Sequence, residues 1–278
     1  MESKPFNDRL WIRLLVLLAY KTATQKHAKR LTFTSHPGRV VFISPKCCIK
    51  STPFTRLAEA SAMQFVAQHT SVPVPKVYSA FERDGRAYII MERMDGENLA
   101  EGWSRRSDES KARILEQLRA IVDELRGIQP PSGVGVANVD RGPIFDHRLP
   151  CKSLWGPFPT IQDFHQELRG GIAAEDIQDD ASSPGVKHMA SFHELAWQGP
   201  VFTHGDLSSS NILVKEDKVV GIVDWETAGW YPPYWEYTSA KHPNPQNRWW
   251  QDEVDRFITP APEALEAEVI RRRFFGDF

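Results

Sequence analysis

The chain has 278 residues, of which 34 are Lys or Arg and 36 are Asp or Glu, so its formal net charge is −2. This length accommodates one large domain or two lobes that share a cleft, and either arrangement buries a sizeable core. The nearly balanced charge predicts neither a nucleic-acid partner nor attachment to an anionic membrane surface.

The cysteines and the N-terminal apolar run narrow the class of protein further. Three cysteines without a CxxC pair predict neither a disulfide scaffold nor a cysteine zinc site, so we expect a reducing, cytoplasmic compartment. The apolar run from Trp11 to Tyr20 contains Arg13 and is far shorter than the ~20 residues of a membrane span. Without a small-residue cleavage site it is not a typical signal peptide. We interpret it as an N-terminal helix packed on the body.

The first hundred residues are predicted to be rich in strands. Alternating apolar residues, proline breaks and an Asp84-Gly85 turn define the elements. In chain order they are a strand at 39–44, a Pro45-Lys46 turn, a strand at 47–50, a helix at 55–69 and strands at 77–81 and 87–91.

The remainder is predicted to be mainly helical. The longest helix is expected over 108–126, where Ile114, Leu118, Ile121 and Leu125 form one apolar stripe for the core. The Pro- and Gly-rich region 128–200 predicts only short helices, near 161–168 and 186–195. Strands followed by helices are typical of an α+β protein with two unlike lobes, which we divide into residues 1–95 and 96–278.

Three polar residues in the region from His204 to Glu226 have the spacing of a catalytic site. Asp206 and Asn211 lie five positions apart before one apolar strand, and Asp224 follows the next apolar strand. With Asp217-Lys218 as a two-residue hairpin loop, residue 211 lies opposite residue 224, with Cβ atoms ~5 Å apart.

This pattern favours phosphoryl transfer. An amide oxygen and a carboxylate form a hard-oxygen site suited to Mg²⁺, and a carboxylate before them can accept a proton from a substrate hydroxyl. The Asp-x-x-x-x-Asn spacing matches the kinase catalytic loop. A single Asp before a strand is usually only a turn or cap residue, so the prediction depends on Asp206, Asn211 and Asp224 together. His204 is expected to orient the loop through backbone hydrogen bonds rather than to transfer a proton.

Two segments carry a resemblance to a known family. His204-Gly-Asp-Leu-Ser-Ser-Ser-Asn-Ile-Leu213 and Gly221-Ile-Val-Asp-Trp-Glu-Thr-Ala-Gly-Trp-Tyr-Pro232 resemble the signature of the aminoglycoside-phosphotransferase family. The continuation Tyr234-Trp-Glu-Tyr237 resembles its fungal branch, whereas Ser209 stands where many members have proline. The resemblance implies a protein-kinase-like two-lobed fold, ATP with Mg²⁺, and transfer to a hydroxyl of a small molecule. It also implies that Asp206 is the catalytic base and that Asn211 and Asp224 hold the metal.

A kinase also needs a phosphate-binding lysine with a carboxylate partner in its first lobe. Lys50 ends the run Cys47-Cys-Ile-Lys50, which has the form of the kinase Val-Ala-Ile-Lys strand, and its rival Lys46 lies at the proline turn. Glu59 shares an apolar helix face and therefore needs a partner, for which Lys50 is the natural choice; the alternative is a partly exposed surface acid.

The adenine side of the site is less clearly marked. Only Gly38 precedes the lysine strand, so no glycine-rich loop is predicted. The segment Ile89-Ile-Met-Glu-Arg-Met-Asp-Gly96 resembles a hinge that presents backbone groups to adenine, with Glu92 and Met94 as the expected contacts.

The acceptor and the function have alternatives. Several acids are candidates for binding an aminoglycoside-like or amino-alcohol-like cation, although such a cluster is more often a solvated face; they are Asp163, Glu167, Glu175, Asp176, Asp179, Asp180 and Glu236. Five aromatic residues are candidates for an acceptor wall or, more often, for core; they are Trp225, Trp230, Tyr231, Tyr234 and Trp235. The alternative functions are a nucleotide-binding protein of the same fold that transfers nothing, and a metal-dependent hydrolase using His204 and Asp206.

Overall fold

The computed structural model describes residues 3–24, 40–150, 153–178, 183–242 and 248–276. Its first part is an antiparallel sheet with the strand order β1-β2-β4-β3. The strands are β1 (Val40–Ser44), β2 (Cys47–Lys50), β3 (Val77–Arg83) and β4 (Arg86–Glu92). Two helices, α1 (Leu10–Thr24) and α2 (Leu57–His69), flank this sheet.

The alternation of side chains along β4 explains why the sheet is covered on both faces. Ile89 and Met91 pack in the same cluster as α2, whereas Tyr88 and Ile90 pack in the cluster that contains Val16 of α1. Successive residues of a strand point to opposite faces, so a continuous apolar run predicts a strand that is buried on both sides.

The predicted elements of this part are confirmed, with small changes of length. The turn at Pro45-Lys46 joins β1 to β2 as expected, although Arg39 and Gly38 lie outside the described residues. The helix α2 begins at Leu57, two residues later than predicted, because Thr55 belongs to a turn in which its N–H donates to the carbonyl of Thr52.

The helix α1 packs on the sheet through only one side. Val16 is buried, but Trp11, Leu14, Leu15 and Leu18 are 55–61% exposed. The expected packing on the body is therefore confirmed for one face only. None of the helices in the described part of the chain has the length and apolarity to cross a membrane.

The rest of the chain is richer in helices. Its helices are α3 (Leu99–Gly102), α4 (Asp108–Gly127), α5 (Ile161–Leu168), α6 (Val186–His193), α7 (Trp235–Ala240), α8 (Arg248–Val254) and α9 (Pro262–Phe275). Its strands are β5 (Glu97–Asn98), β6 (Ile144–Phe145), β7 (Leu154–Trp155), β8 (Val201–Thr203), β9 (Ile212–Lys215), β10 (Lys218–Ile222) and β11 (Gly229–Tyr231). The predicted apolar stripe of α4 is buried in the core. The boundary between residues 95 and 96 stays a prediction.

The predicted register of the β9–β10 hairpin is wrong. Lys215 pairs with Lys218, so the two-residue loop is Glu216-Asp217, and an irregularity between Val219 and Gly221 shifts the later pairs. The Asp217 carboxylate is held by the side chains of Ser110 and Arg113 on α4, a tertiary contact that fixes the turn one residue earlier than predicted.

The corrected register changes the neighbours of Asn211. The N–H of Val223 donates to the carbonyl of Asn211 at 2.9 Å, so residue 211 lies opposite 223 rather than opposite 224. Asp224 follows one residue later with a φ of 67°, a left-handed conformation in which aspartate is tolerated better than most residues.

Candidate active site

Lys50 is surrounded by three carboxylates. Its Nζ lies 2.9 Å from the carboxylate of Glu59, 2.5 Å from Oδ1 of Asp224 and 3.1 Å from Oε2 of Glu226. Lys50 and Glu59 are both almost fully buried, so the predicted partnership of these two side chains is confirmed as a contact. The rival Lys46 is exposed on its turn.

The electrostatics of this cluster favour a charged lysine. Burial alone lowers the pKa of Lys50, but the charges of Glu59, Asp224 and Glu226 outweigh burial and raise it. Burial raises the pKa of Glu226, yet hydrogen bonds from His147 and Lys50 outweigh this effect and lower its pKa to about 2. The cluster therefore holds one buried ammonium among three carboxylates, so its acidic groups outnumber its basic one.

The loop between β8 and β9 fixes Asp206 against Asn211. Nδ2 of Asn211 donates to the backbone carbonyl of Asp206 and to its Oδ2, each at 2.8 Å. In the described part of the chain no side chain or backbone group donates to Oδ1 of Asp206, so this oxygen is available to a substrate. Burial raises the pKa of Asp206, although the positive charge of Arg148 opposes this shift.

His204 makes the backbone hydrogen bonds expected of a residue that orients the loop. The N–H of Asp206 donates to Nδ1 of His204 at 3.1 Å, and Nε2 lies 3.1 Å from the carbonyl of Val223. This pair of contacts assigns the ring proton to Nε2, which donates to the carbonyl of Val223. A proton-transfer role is not needed to explain the residue.

Three side chains of the site, Glu226, His147 and Arg148, escaped the sequence analysis, and a fourth, Glu236, was assigned another role. Glu226 binds Lys50 through one oxygen and His147 through the other, at 2.6 Å. Arg148 donates to the carboxylate of Asp146 and to the carbonyl of Gly205. The position of Glu226, two residues after Asp224, was a signal available in the sequence; His147 and Arg148 lie in the region 128–200, where no pattern marked them.

Glu236 holds the loop between β8 and β9, here called the catalytic loop, through hydrogen bonds to its backbone. Its carboxylate accepts hydrogen bonds from the backbone N–H of His204 at 2.6 Å and of Gly205 at 3.2 Å. The side chain is buried at the start of α7. The expectation that Glu236 receives a cationic substrate is therefore wrong, because both of its oxygens are occupied by the loop.

The other acceptor candidates are scattered or buried. Asp163 closes a capping box with Thr160 at the start of α5, which explains its presence without a substrate. Asp179 and Asp180 lie outside the described residues. The five aromatic candidates between Trp225 and Trp235 are all buried in the core, as the more ordinary interpretation predicted.

Asn211 and Asp224 offer the oxygens that a magnesium ion needs. Because Nδ2 of Asn211 is committed to Asp206, its Oδ1 is left without a donor among the described residues. Asp224 uses Oδ1 for Lys50 and retains Oδ2. Amide and carboxylate oxygens are the donor set preferred by Mg²⁺, so these residues fit the ion.

A histidine-based metal site finds no support in the structure. Within the described ranges, the acids close enough to share an ion are Glu59, Asp224 and Glu226, and no histidine joins them. His193 stacks on His165 with ring centroids 4.3 Å apart, inside the core.

The segment expected to form the adenine hinge follows β4. The backbone N–H of Glu92 donates to the carbonyl of Lys76 at 2.9 Å. Met94 packs against the backbone of Gly221, where an added Cβ would lie 3.2 Å from its Cε. Met94 thus contacts β10 at Gly221, a position that lies two residues before Val223 and three before Asp224. The nucleotide contacts of Glu92 and Met94 stay a prediction.

Comparison with known proteins identifies the family of the chain. The model of the phosphotransferase enzyme family matches residues 51–273. Clavilactone A biosynthesis cluster protein Y of Ampulloclitocybe clavipes is 25% identical over 229 residues, covering 69% of this chain and 57% of that protein. Aminoglycoside 3'-phosphotransferase of Enterococcus faecalis is 24% identical over 166 residues, covering 58% and 56%. The matches thus span little more than half the length of these relatives.

Solved structures share the fold. A thermostable mutant of aminoglycoside phosphotransferase APH(4)-Ia in its apo form has a TM-score of 0.60 at 15% identity, covering 84% of this chain and 79% of that one. The ternary complex of APH(2")-IIa with streptomycin and ATP has a TM-score of 0.54 at 15% identity, covering 92% and 85%. The predicted α+β, protein-kinase-like fold with two lobes is confirmed.

Proposed function

Because the chain belongs to the phosphotransferase enzyme family, we propose that it transfers the γ-phosphate of ATP to a hydroxyl of a small molecule, with Mg²⁺ as the metal. The observation that carries this proposal is the contact between Lys50 and Asp224, which joins the end of β2 to the residue that follows β10. The contact supports the proposal because phosphoryl transfer needs a cation for the phosphates and a carboxylate for the metal close together.

The first lobe supplies the nucleotide contacts in this proposal. Lys50 binds the phosphates of ATP, and Glu59 holds its ammonium in place from α2. Backbone groups at Glu92 and Met94 contact adenine. The free thiols of Cys47 and Cys48 suit the reducing cytoplasmic compartment that we propose for the reaction.

Asp206 acts as the general base in this proposal. Asn211 holds Oδ2 of Asp206, so Oδ1 faces the acceptor and takes the proton from its hydroxyl. The acceptor oxygen then forms a bond to the γ-phosphorus while the bond from that phosphorus to the β–γ bridging oxygen breaks, and ADP leaves. The raised pKa of Asp206 makes its carboxylate a stronger base than an exposed aspartate.

Asn211 and Asp224 are the residues that would hold the metal. When bound, Mg²⁺ neutralises charge on the β- and γ-phosphate oxygens. Asp224 thus has two partners in the proposal, the metal and the ammonium of Lys50, and it uses a different oxygen for each.

The relatives support a small-molecule acceptor. One matched protein is named an aminoglycoside 3'-phosphotransferase, and one structural neighbour was solved with streptomycin and ATP.

Calorimetry with Mg·ATP followed by measurement of phosphate transfer tests the proposal. We expect Asp206→Asn to keep its affinity for Mg·ATP within about threefold and to lose about 10²–10⁴-fold in turnover. Asp123→Asn, a matched change at an exposed site on α4, should alter neither quantity. Full turnover by Asp206→Asn would refute the assignment of the base. Binding of Mg·ATP without transfer to any acceptor would favour a nucleotide-binding protein that transfers nothing, and no binding at all would refute the kinase proposal.

A further inference from the structure

A cavity of about 240 Å³ opens beside the proposed base. It lies between the catalytic loop and the helices α7 and α8. Its wall includes Asp206, Ser208, Thr227, Ser239, Trp250 and Gln251. Because Asp206 lies on the wall, a hydroxyl in the cavity can approach its carboxylate, and the cavity is the place for an acceptor.

The charges on this wall do not suit a cation. Of the described residues that line the cavity, Asp206 is the one carboxylate, and it is accompanied by His147, Arg148 and His242. Charged partners bind where the opposite charge is presented, so a molecule with several ammonium groups needs several carboxylates around it. Glu236, a buried acid three residues before Ser239, is already occupied by the amides of the catalytic loop.

The wall does not suit an anion either. The one guanidinium, that of Arg148, is matched by the carboxylate of Asp146, which it contacts through two nitrogens. His147 is likewise committed to Glu226. Arg148 and His147 therefore have their counter-charges within the protein, so neither of them requires a charge from the ligand.

Uncharged hydrogen-bonding groups make up much of the remaining wall. Ser239 carries a buried Oγ that has no hydrogen-bond partner among the described residues, although the residue lies on the cavity. A buried hydroxyl without a partner costs free energy. The Oγ of Ser239 has almost no accessible surface, so a ligand hydroxyl in the cavity would satisfy it after rotation of the side chain about its Cα–Cβ bond. Gln251 and Ser208 add further polar groups, and Trp250 adds an aromatic one.

The volume of the cavity limits the size of the ligand. Pockets that bury drug-sized molecules have volumes of ~300–1,000 Å³, so about 240 Å³ accommodates a smaller molecule. A multi-ring aminoglycoside would have to extend beyond it.

We propose that the acceptor is a compact, uncharged molecule with several hydroxyl groups, of the size of a monosaccharide or polyol, and that Ser239 binds one of those hydroxyls. This inference rests on the proposed kinase function, because it assumes that Asp206 is the base. It replaces the amine-bearing acceptor expected from the sequence with one that carries no ammonium group.

Matched acceptor pairs test the charge preference. Transfer from Mg·ATP is measured for glucose, glucosamine and gluconate, which differ in charge at similar size, and for ribitol, choline and kanamycin. We expect kcat/KM for the better uncharged compound to exceed that for every charged one by about tenfold or more. Faster transfer to glucosamine, choline, kanamycin or gluconate would overturn the inference and leave the kinase proposal intact.

A variant of Ser239 tests the binding role of its hydroxyl. Ser239→Ala is expected to raise KM for the uncharged acceptor about 3–10-fold, with KM for ATP unchanged. Ser191→Ala, at an exposed site on α6, should change neither constant. An unchanged acceptor KM in Ser239→Ala would contradict the assignment.

Calorimetry with Mg·ATP separates this inference from the proposal on which it rests. If the protein binds Mg·ATP but transfers to neither uncharged compound at concentrations ten times the usual upper KM of ~1 mM, the inference about the acceptor fails. If Mg·ATP itself does not bind, the kinase proposal fails.

Discussion

Lys50 and Glu226 are joined by a hydrogen bond of 3.1 Å between Nζ and Oε2, and they come from strand β2 and from the turn after β10. The other oxygen of Glu226 lies 2.6 Å from Nε2 of His147, which lines the acceptor cavity. One carboxylate therefore connects the phosphate-binding lysine of the proposed mechanism with the wall of the cavity.

Replacing Glu226 tests this connection through the titration of His147. The hydrogen bond to Glu226 raises the pKa of His147, so Glu226→Gln is expected to lower that pKa towards the usual ~6.5. The measurement is an NMR titration of the imidazole ring. Glu175→Gln, at an exposed site far along the chain, serves as the control and should leave the ring's titration as it is in the wild type. An identical midpoint for His147 in Glu226→Gln and the wild type would show that the pair does not form in solution.

Removing the ammonium of Lys50 should affect both stability and turnover. Lys50→Met leaves three carboxylates without their shared cation, and we expect the free energy of unfolding to fall by about 3 kcal/mol. Turnover should fall about 10²–10³-fold because a charge that stabilises the transferred phosphate is lost. Lys46→Met is the matched control. Because Lys46 is exposed, we expect this substitution to change neither the free energy of unfolding nor turnover appreciably. Denaturant titration and initial rates measure the two effects, and equal behaviour of the two variants would contradict the assignment of Lys50.

Glu236→Gln separates a structural role from a substrate-binding one. The carboxylate accepts two backbone hydrogen bonds from the catalytic loop, and the amide that replaces it can accept through one oxygen only. We expect the free energy of unfolding to fall by about 2 kcal/mol. Denaturant titration is the measurement, with the exposed Glu167→Gln as its control. A higher acceptor KM with unchanged stability would instead restore Glu236 as a substrate ligand.

The buried histidine pair predicts a loss of stability in acid. Burial lowers the pKa of His165 to about 4, whereas the unfolded chain has the usual ~6.5. Below pH ~6.5 the unfolded state binds a proton that the folded state does not, so stability is complete above this pH and falls as the pH decreases towards 4. His165 alone should cost about 2 kcal/mol between pH 7 and pH 5.

Denaturant titrations at the two pH values measure this loss. His165→Gln removes the titrating group and should lose less stability over the same interval, although the substitution itself weakens the contact with Tyr234 at pH 7. Equal losses in the variant and the wild type would exclude His165 as the source.

The sequence predicts those parts of the fold and site that depend on local patterns. Three such patterns are local: the strand that ends in Lys50, the apolar stripe of α4 and the spacing of Asp206 from Asn211. The strand and the helix follow from the periodicity of their apolar residues. Even the contact between Lys50 and Glu59 was predictable, because a carboxylate on an apolar helix face requires a cation.

The missed features depend on contacts between distant segments. The hairpin turn is placed by Asp217 against Arg113, 104 residues earlier in the chain, so hairpin length alone gave the wrong register. Glu236 was a candidate substrate ligand or an acid of a solvated face, because its acidity is visible in the sequence and its backbone partners are not. His147 and Arg148 follow β6 in a region without periodicity, where a pattern-based analysis has no signal.

The left-handed backbone at Asp224 limits which residues evolution can accept at this position. Glycine suits a φ of 67° but has no carboxylate, and asparagine suits it but has no charge. Glutamate has the charge but lacks the short side chain that stabilises this conformation. Aspartate alone meets both demands, so the backbone conformation and the metal-binding role proposed for Asp224 favour the same amino acid, whereas the backbone conformation alone would also admit glycine and asparagine.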